Sequence, residues 1–209
     1  MIYPTLELEQ KLWKQGYKIV AGLDEAGRGP LAGPVVAGCV VISSPDQVVD
    51  IVRDSKKMTK KRRDIAFDLI REKSTAYGVG IVDAKKIDEI GIRYAVLEAM
   101  TKAISEVEKM QGERVEYIIA DGGIYLLEDY NMESINKGDL NHYSIAAGSV
   151  LAKVTRDRLM EDYAKQYPEY GFEKHVGYGT RYHMDMISKY GPCDIHRRSF
   201  APFNAKPLD

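Results

Sequence analysis

Apolar positions recur along this chain with two different periods, and each change of period marks a new element. A short apolar run at residues 19–23 and a nearly continuous one at 35–42 predict two strands. The alternation of Tyr77, Val79 and Ile81 predicts a third over 75–82. Between the second and third strands, residues 60–73 set Ile65, Leu69 and Ile70 against Lys, Arg and Asp, the spacing of a one-faced helix. A longer helix is predicted over 92–110, with Tyr94, Leu97, Met100, Ile104 and Val107 on its apolar side. The run 115–120 reads as a strand that stops abruptly on Asp121-Gly122-Gly123, and 132–136 as another that runs into Lys137-Gly138-Asp139. Residues 143–163 predict a helix through Ile145, Val150, Leu151, Val154 and Leu159, 180–189 a short one, and 205–209 a loose tail. Strands and helices alternate and then give way to helices, so the expected fold class is α/β with a helical C-terminal part.

Composition narrows the class further. A chain of 209 residues suits one domain, or one domain with an added subdomain, and can bury a full core. The net charge of −1 excludes a polycation, so contact with nucleic acid must come from local basic patches. No apolar run approaches membrane-spanning length, and the N-terminus lacks a basic segment followed by an apolar one. The two cysteines form no CxxC motif and Cys39 lies in an apolar run, which predicts a buried free thiol in a reducing, cytoplasmic setting. The four histidines show no zinc spacing with them.

The candidate chemistry is acidic. Asp24 and Glu25 stand side by side where the first strand meets the turn Gly27-Arg28-Gly29-Pro30. Neighbouring strand residues point to opposite faces, so a shared site requires the chain to leave strand geometry here, which Gly27 and Gly29 permit. Two ionised carboxylates held this close raise each other's pKa unless a cation compensates, and oxygen-only ligands suit a hard divalent ion such as Mg²⁺. Asp121 and Asp139 sit at further strand ends beside glycine. Each acid taken singly is equally a solvated turn or capping residue. Together the four carry about −4, which two divalent cations balance, as in two-metal phosphoryl displacement. The turn does not match G-x-G-x-x-G, and carboxylates ahead of it would repel a pyrophosphate. Residues 56–63 place six cations in eight positions, a solvated helix face or a phosphate-binding patch. The loop 171–180 sets Tyr178 between two glycines, where its ring has room to stack on a sugar or to plug the core.

In combination these motifs resemble the type 2 ribonucleases H, specifically the ribonuclease HII family. The pieces that carry the resemblance, in chain order, are GLDEAGRGPLAGP (22–34), DSKK (54–57), IADG (119–122), KGD (137–139), IAAGSVLAKVTRD (145–157), YGFEKHVGYGT (170–180) and HRRSFAPF (196–203). They span nearly the whole chain. The resemblance implies a ribonuclease H-like fold, a mixed five-stranded sheet flanked by helices. It divides the chain into a helical lead-in (1–17), a catalytic domain (18–165) and a helical extension with a tail (166–209). It implies a monomeric, Mg²⁺- or Mn²⁺-dependent endonuclease acting on RNA–DNA hybrids and on single ribonucleotides embedded in duplex DNA. Carried over by motif, Asp24, Glu25, Asp121 and Asp139 would hold the metals, and Gly27, Arg28 and Gly29 would read the ribose 2′-OH. Tyr178 would stack on the neighbouring sugar and Lys56 would contact a phosphate. Two rivals share parts of this pattern: a junction-resolving nuclease, which needs no 2′-OH, and a non-catalytic binding module, which has no use for four convergent acids.

Overall fold

The computed structural model describes residues 3–122, 127 and 129–204. Gly123 and the tail expected at 205–209 lie outside the described residues. Strands β1 (Val20–Ala26), β2 (Val35–Val41), β3 (Ala76–Val82), β4 (Tyr117–Asp121) and β5 (Asn131–Ile135) form one mixed sheet in the order β3-β2-β1-β4-β5. β1 pairs antiparallel with β2 and parallel with β4, so the strand carrying Asp24 lies at the centre. The helices are α1 (Glu7–Lys14), α2 (Lys60–Lys73), α3 (Ala84–Ile90), α4 (Ile92–Gln111), α5 (Gly138–Asn141), α6 (Tyr143–Gln166), α7 (Phe172–His175) and α8 (Arg181–Tyr190).

One core lies between the sheet and α4, where Leu23, Ala37, Cys39, Ala99, Met100, Ala103 and Ile104 are buried. On the other face α6 crosses β1 and β2 at very short range. A Cβ on Gly22 would overlap the backbone of Ser144, and one on Gly38 would overlap the carbonyl of Gly148. This close approach brings the side chains of α6 directly over the ends of the central strands. Glu9 of α1 accepts hydrogen bonds from the backbone N–H and the hydroxyl of Ser144, at 3.0 and 2.7 Å, satisfying a donor at the start of α6.

Several expectations need correction. β1 continues to Ala26 instead of ending before Asp24, because β2 pairs with it throughout: Asp24 faces Gly38 and Glu25 faces Ala37. On α2 the buried residues are Ala66, Phe67 and Ile70, while Ile65 is exposed, since the helix packs against α6 through Phe67. On α4 Met100, Ile104 and Val107 are buried as expected, with Ala95, Ala99 and Ala103 beside them, but Tyr94 stands in solvent. The helix α3, capped by Asp83 accepting from Lys86 N at 2.8 Å, was not evident in the apolar spacing.

Candidate active site

Parallel pairing of β1 with β4 ends at Leu23 opposite Ala120, so Asp24 and Asp121 are the next residues on the two adjacent strands. Both fall on the α6 face, because Leu23 and Ala120 point to the other core. Asp139 enters from the first turn of α5. Oxygens of Asp24, Asp121 and Asp139 all lie within 4.8 Å of one another. Gly138 N donates to Asp121 Oδ1 at 2.7 Å, which ties the strand end to the turn carrying Asp139.

Glu25 points to the opposite face of β1 and stands outside that trio. Its carboxylate still reaches the same cavity, because β1 extends beyond the end of β4 and is open on that side. Arg28 Nη1 lies 3.3 Å from Glu25 Oε1, while the buried Glu25 Oε2 has no hydrogen-bond partner among the described residues. The cavity, about 370 Å³, is lined by Asp24, Glu25 and Asp121 together with the turn 27–29, Lys56 and Tyr178.

Burial pushes the Asp24 carboxyl well above its ordinary range, reinforced by Glu25 and Asp121 and opposed by a hydrogen bond from Ser149. Burial also raises Glu25 to about 7, against the pull of Arg28. Asp139 is raised by burial and by Asp121, with Lys56 opposing. The Lys56 ammonium, 3.9 Å from Asp139, is raised: burial works against its charge, but Asp139, Asp24 and other acids outweigh it. The donor set is all oxygen, anionic and crowded, and a buried carboxylate oxygen lacks a partner, so the residues fit hard divalent cations.

Three other cations of the basic cluster are paired elsewhere. Lys57 pairs with Asp54 at 3.8 Å, Lys60 with Glu161 and Arg63 with Asp157 at 3.7 Å. Lys56 is the cation of that run that lines the cavity.

Residues that the motif reading did not single out hold this site together. Ser149, bonded to Asp24, also lies 3.0 Å from Ser55 Oγ. Two buried guanidiniums hold the glycine turn. Arg197 donates to the carbonyls of Gly27, Arg28 and Gly33 at 2.6, 3.0 and 2.9 Å. Arg156 donates to those of Pro34 and Ala32 at 2.9 and 3.2 Å. Burial lowers Arg197 to about 9 and Arg156 to about 10, so both stay charged at neutral pH. Gly27 has φ +96°, and a Cβ there would overlap Arg156, which makes glycine a requirement of this packing. The available signal was a basic residue on the buried side of α6, where Ala152, Arg156 and Met160 recur every four positions.

A mixed sheet with convergent acids at its central strand ends defines a nuclease of the ribonuclease H-like class. The sequence profile of ribonuclease HII matches residues 21–203. The ribonuclease HII of Bacillus licheniformis is 49% identical over 197 residues, covering 94% of this chain and 75% of its own. That of Caldanaerobacter subterraneus is 47% identical over 193 residues, covering 92% and 78%. The crystal structure of ribonuclease H2 from Pyrococcus horikoshii superposes with a TM-score of 0.73 at 28% identity, over 88% of this chain and 94% of that one. The chain belongs to the ribonuclease HII family, and it is an endoribonuclease of the ribonuclease H type.

The raised carboxyls make cation binding dependent on pH. Unfolded carboxylates ionise near pH 4, whereas Asp24, Glu25 and Asp139 keep their protons to higher pH in the folded, metal-free chain. These groups therefore lower stability as pH rises from about 4 towards 7. Buried His183 and His196, whose pKa values are lowered, act in the opposite sense over part of that window. The difference between melts with and without millimolar Mg²⁺ isolates the acidic cluster. The gain in melting temperature should be small at pH 5 and grow towards pH 8, as protons cease to compete. A gain that shrinks with pH would contradict these shifts.

Proposed function

We propose that this protein is a divalent-metal-dependent endonuclease that cuts the RNA strand of RNA–DNA hybrids. It also incises duplex DNA on the 5′ side of a single embedded ribonucleotide, leaving a 3′-hydroxyl and a 5′-phosphate. The observation that carries this reading is the convergence of Asp24, Asp121 and Asp139, the first two of which line one cavity with the turn 27–29. Asp24, Asp121 and Asp139 hold the ions on the α6 side, and Glu25 adds its unpartnered oxygen from the other face. Bound Mg²⁺ or Mn²⁺, two per site, supplies an activated water and neutralises charge on the scissile phosphate. Lys56 meets a substrate phosphate at the cavity rim.

Gly27, Arg28 and Gly29 read the ribose. The 2′-OH is the group that separates RNA from DNA at a given site, and a backbone with side chains missing at 27 and 29 lets a sugar come close. Arg197 clamps this turn, so it offers the same geometry to every substrate. The Tyr178 ring is half exposed and lies 3.7 Å from where a Cβ on Gly29 would be, placed to stack on the adjacent sugar. All these groups come from one chain, consistent with a working monomer, and the two free cysteines suit a reducing cytoplasm. Among the described residues no helix is long and apolar enough to cross a membrane.

An end-labelled RNA strand annealed to DNA tests this. Cleavage should require Mg²⁺ or Mn²⁺, stop on chelation, and spare the matching all-DNA duplex. Cutting that persists in chelator would overturn the metal assignment, and equal cutting of all-DNA would favour a junction-resolving activity instead.

A further inference from the structure

His183 and His196 do not line the cleft, yet their hydrogen bonds run in one direction towards it. The backbone N–H of Cys193 donates to His196 Nδ1 at 2.9 Å, so that nitrogen is an acceptor and the ring proton lies on Nε2. His196 Nε2 lies 3.0 Å from His183 Nε2, to which it donates. His183 then holds its own proton on Nδ1, which donates to the Tyr178 carbonyl at 2.9 Å. Reversing any of these bonds would set two protons or two lone pairs against each other. Both rings are buried, and both lie within 6 Å of the Phe172 ring, centre to centre.

The loop at the end of this chain of bonds has unusual backbone geometry. Val176 and Gly177 have φ of +44° and +86°, and Tyr178 N donates to His175 O at 2.9 Å. Leu31 N donates to Gly177 O at 2.8 Å, joining the loop to the segment that follows the glycine turn. The half-exposed Tyr178 ring therefore depends on its backbone for its place over Gly29.

We infer that His183 and His196 are positioning residues for the substrate: a one-way relay from the Cys193 amide to the Tyr178 carbonyl fixes the loop that presents the Tyr178 ring to the cleft. The inference rests on the stacking role proposed for Tyr178. Burial lowers His196 to about 4 and also lowers His183, which keeps both rings neutral at neutral pH, as the relay requires.

Two near-isosteric variants separate this role from plain packing. In His183→Asn the amide nitrogen takes the place of Nδ1 and still donates to Tyr178 O. In His183→Gln the amide takes the place of Nε2, and that donation is lost. Cleavage kcat/KM is measured for both, for Tyr178→Ala, and for Tyr178→Ala combined with His183→Gln, at temperatures where melts show every variant folded. Tyr178→Ala should cost about tenfold to a hundredfold, the worth of one stacked ring. His183→Gln should cost a similar factor, His183→Asn much less, and the double variant no more than Tyr178→Ala alone. Equal loss in the Asn and Gln variants, or a Gln factor undiminished in the Tyr178→Ala background, would overturn the relay while leaving the stacking role intact. Unchanged cleavage in Tyr178→Ala would overturn the stacking role and, with it, the relay.

Discussion

Replacing Asp24 or Asp121 by Asn is expected to lower cleavage on the order of a thousandfold or more and to leave the protein folded. Both residues stand just beyond the β1–β4 pairing, on the α6 face, with a third carboxylate within 4.8 Å. Asp24 is buried and its carboxyl is pushed up by that burial, by Glu25 and by Asp121. An amide of the same shape keeps the acceptor that takes the Glu25 N–H at 2.7 Å, and it removes a charge that its neighbours repel. The metal-free Asp24→Asn protein should therefore melt higher than the wild type at pH 8, and Mg²⁺ should raise its melting temperature less. Cleavage on a labelled hybrid and thermal melts with and without Mg²⁺ check both halves. Near-wild-type turnover at saturating Mg²⁺ would remove Asp24 and Asp121 from the proposed metal site.

The second large effect is expected at Arg197, which does not line the cavity. Its guanidinium supplies three differently directed N–H groups to the carbonyls of residues 27, 28 and 33. A lysine ammonium on a flexible stem cannot reproduce that planar fork. Arg197→Lys should keep one of the three bonds and leave two carbonyls without a donor, at about 1–3 kcal/mol each. Residues 27 and 28 line the cavity, where water can reach their backbone, which puts the sum near about 2 kcal/mol. That corresponds to a fall of roughly 4–8 °C in melting temperature. Cleavage should fall further than stability, by about a hundredfold even where the variant is fully folded, because a loosened turn no longer holds the ribose at fixed geometry. Full activity at a temperature where melts show Arg197→Lys folded would mean that the turn needs no clamp.

Much of this was legible in the residues. The apolar periods located all five strands and the helices α2, α4, α6 and α8; of these helices α4 and α6 bury a face against the sheet and α2 one against α6. The acids at strand ends stood out for the same reason: Asp121 breaks the apolar run of β4 abruptly. What the periods did not reveal depends on pairing across the chain. Whether Asp24 and Glu25 share a face was set by the register of β1 against β2, which holds both in strand geometry and points them apart. The roles of Arg156 and Arg197 depend on carbonyls 122 to 170 residues away, so no local spacing announces them. Short helices such as α5 and α7, four residues each, bury too little to leave a period. The histidines had no metal-binding spacing, and the structure gives ring nitrogens of His175, His183 and His196 to carbonyls, an amide and each other.

The most direct test of the account uses a DNA duplex with one ribonucleotide in an end-labelled strand, beside the same duplex without it. With Mg²⁺, the protein should cut once, on the 5′ side of the ribonucleotide, leaving a 3′-hydroxyl, and leave the all-DNA duplex whole. Only the 2′-OH distinguishes the two substrates, and the turn 27–29 that is proposed to read it lines the same cavity as Asp24 and Asp121. Cutting on the 3′ side, a cyclic phosphate end, or equal cutting of the all-DNA duplex would contradict it.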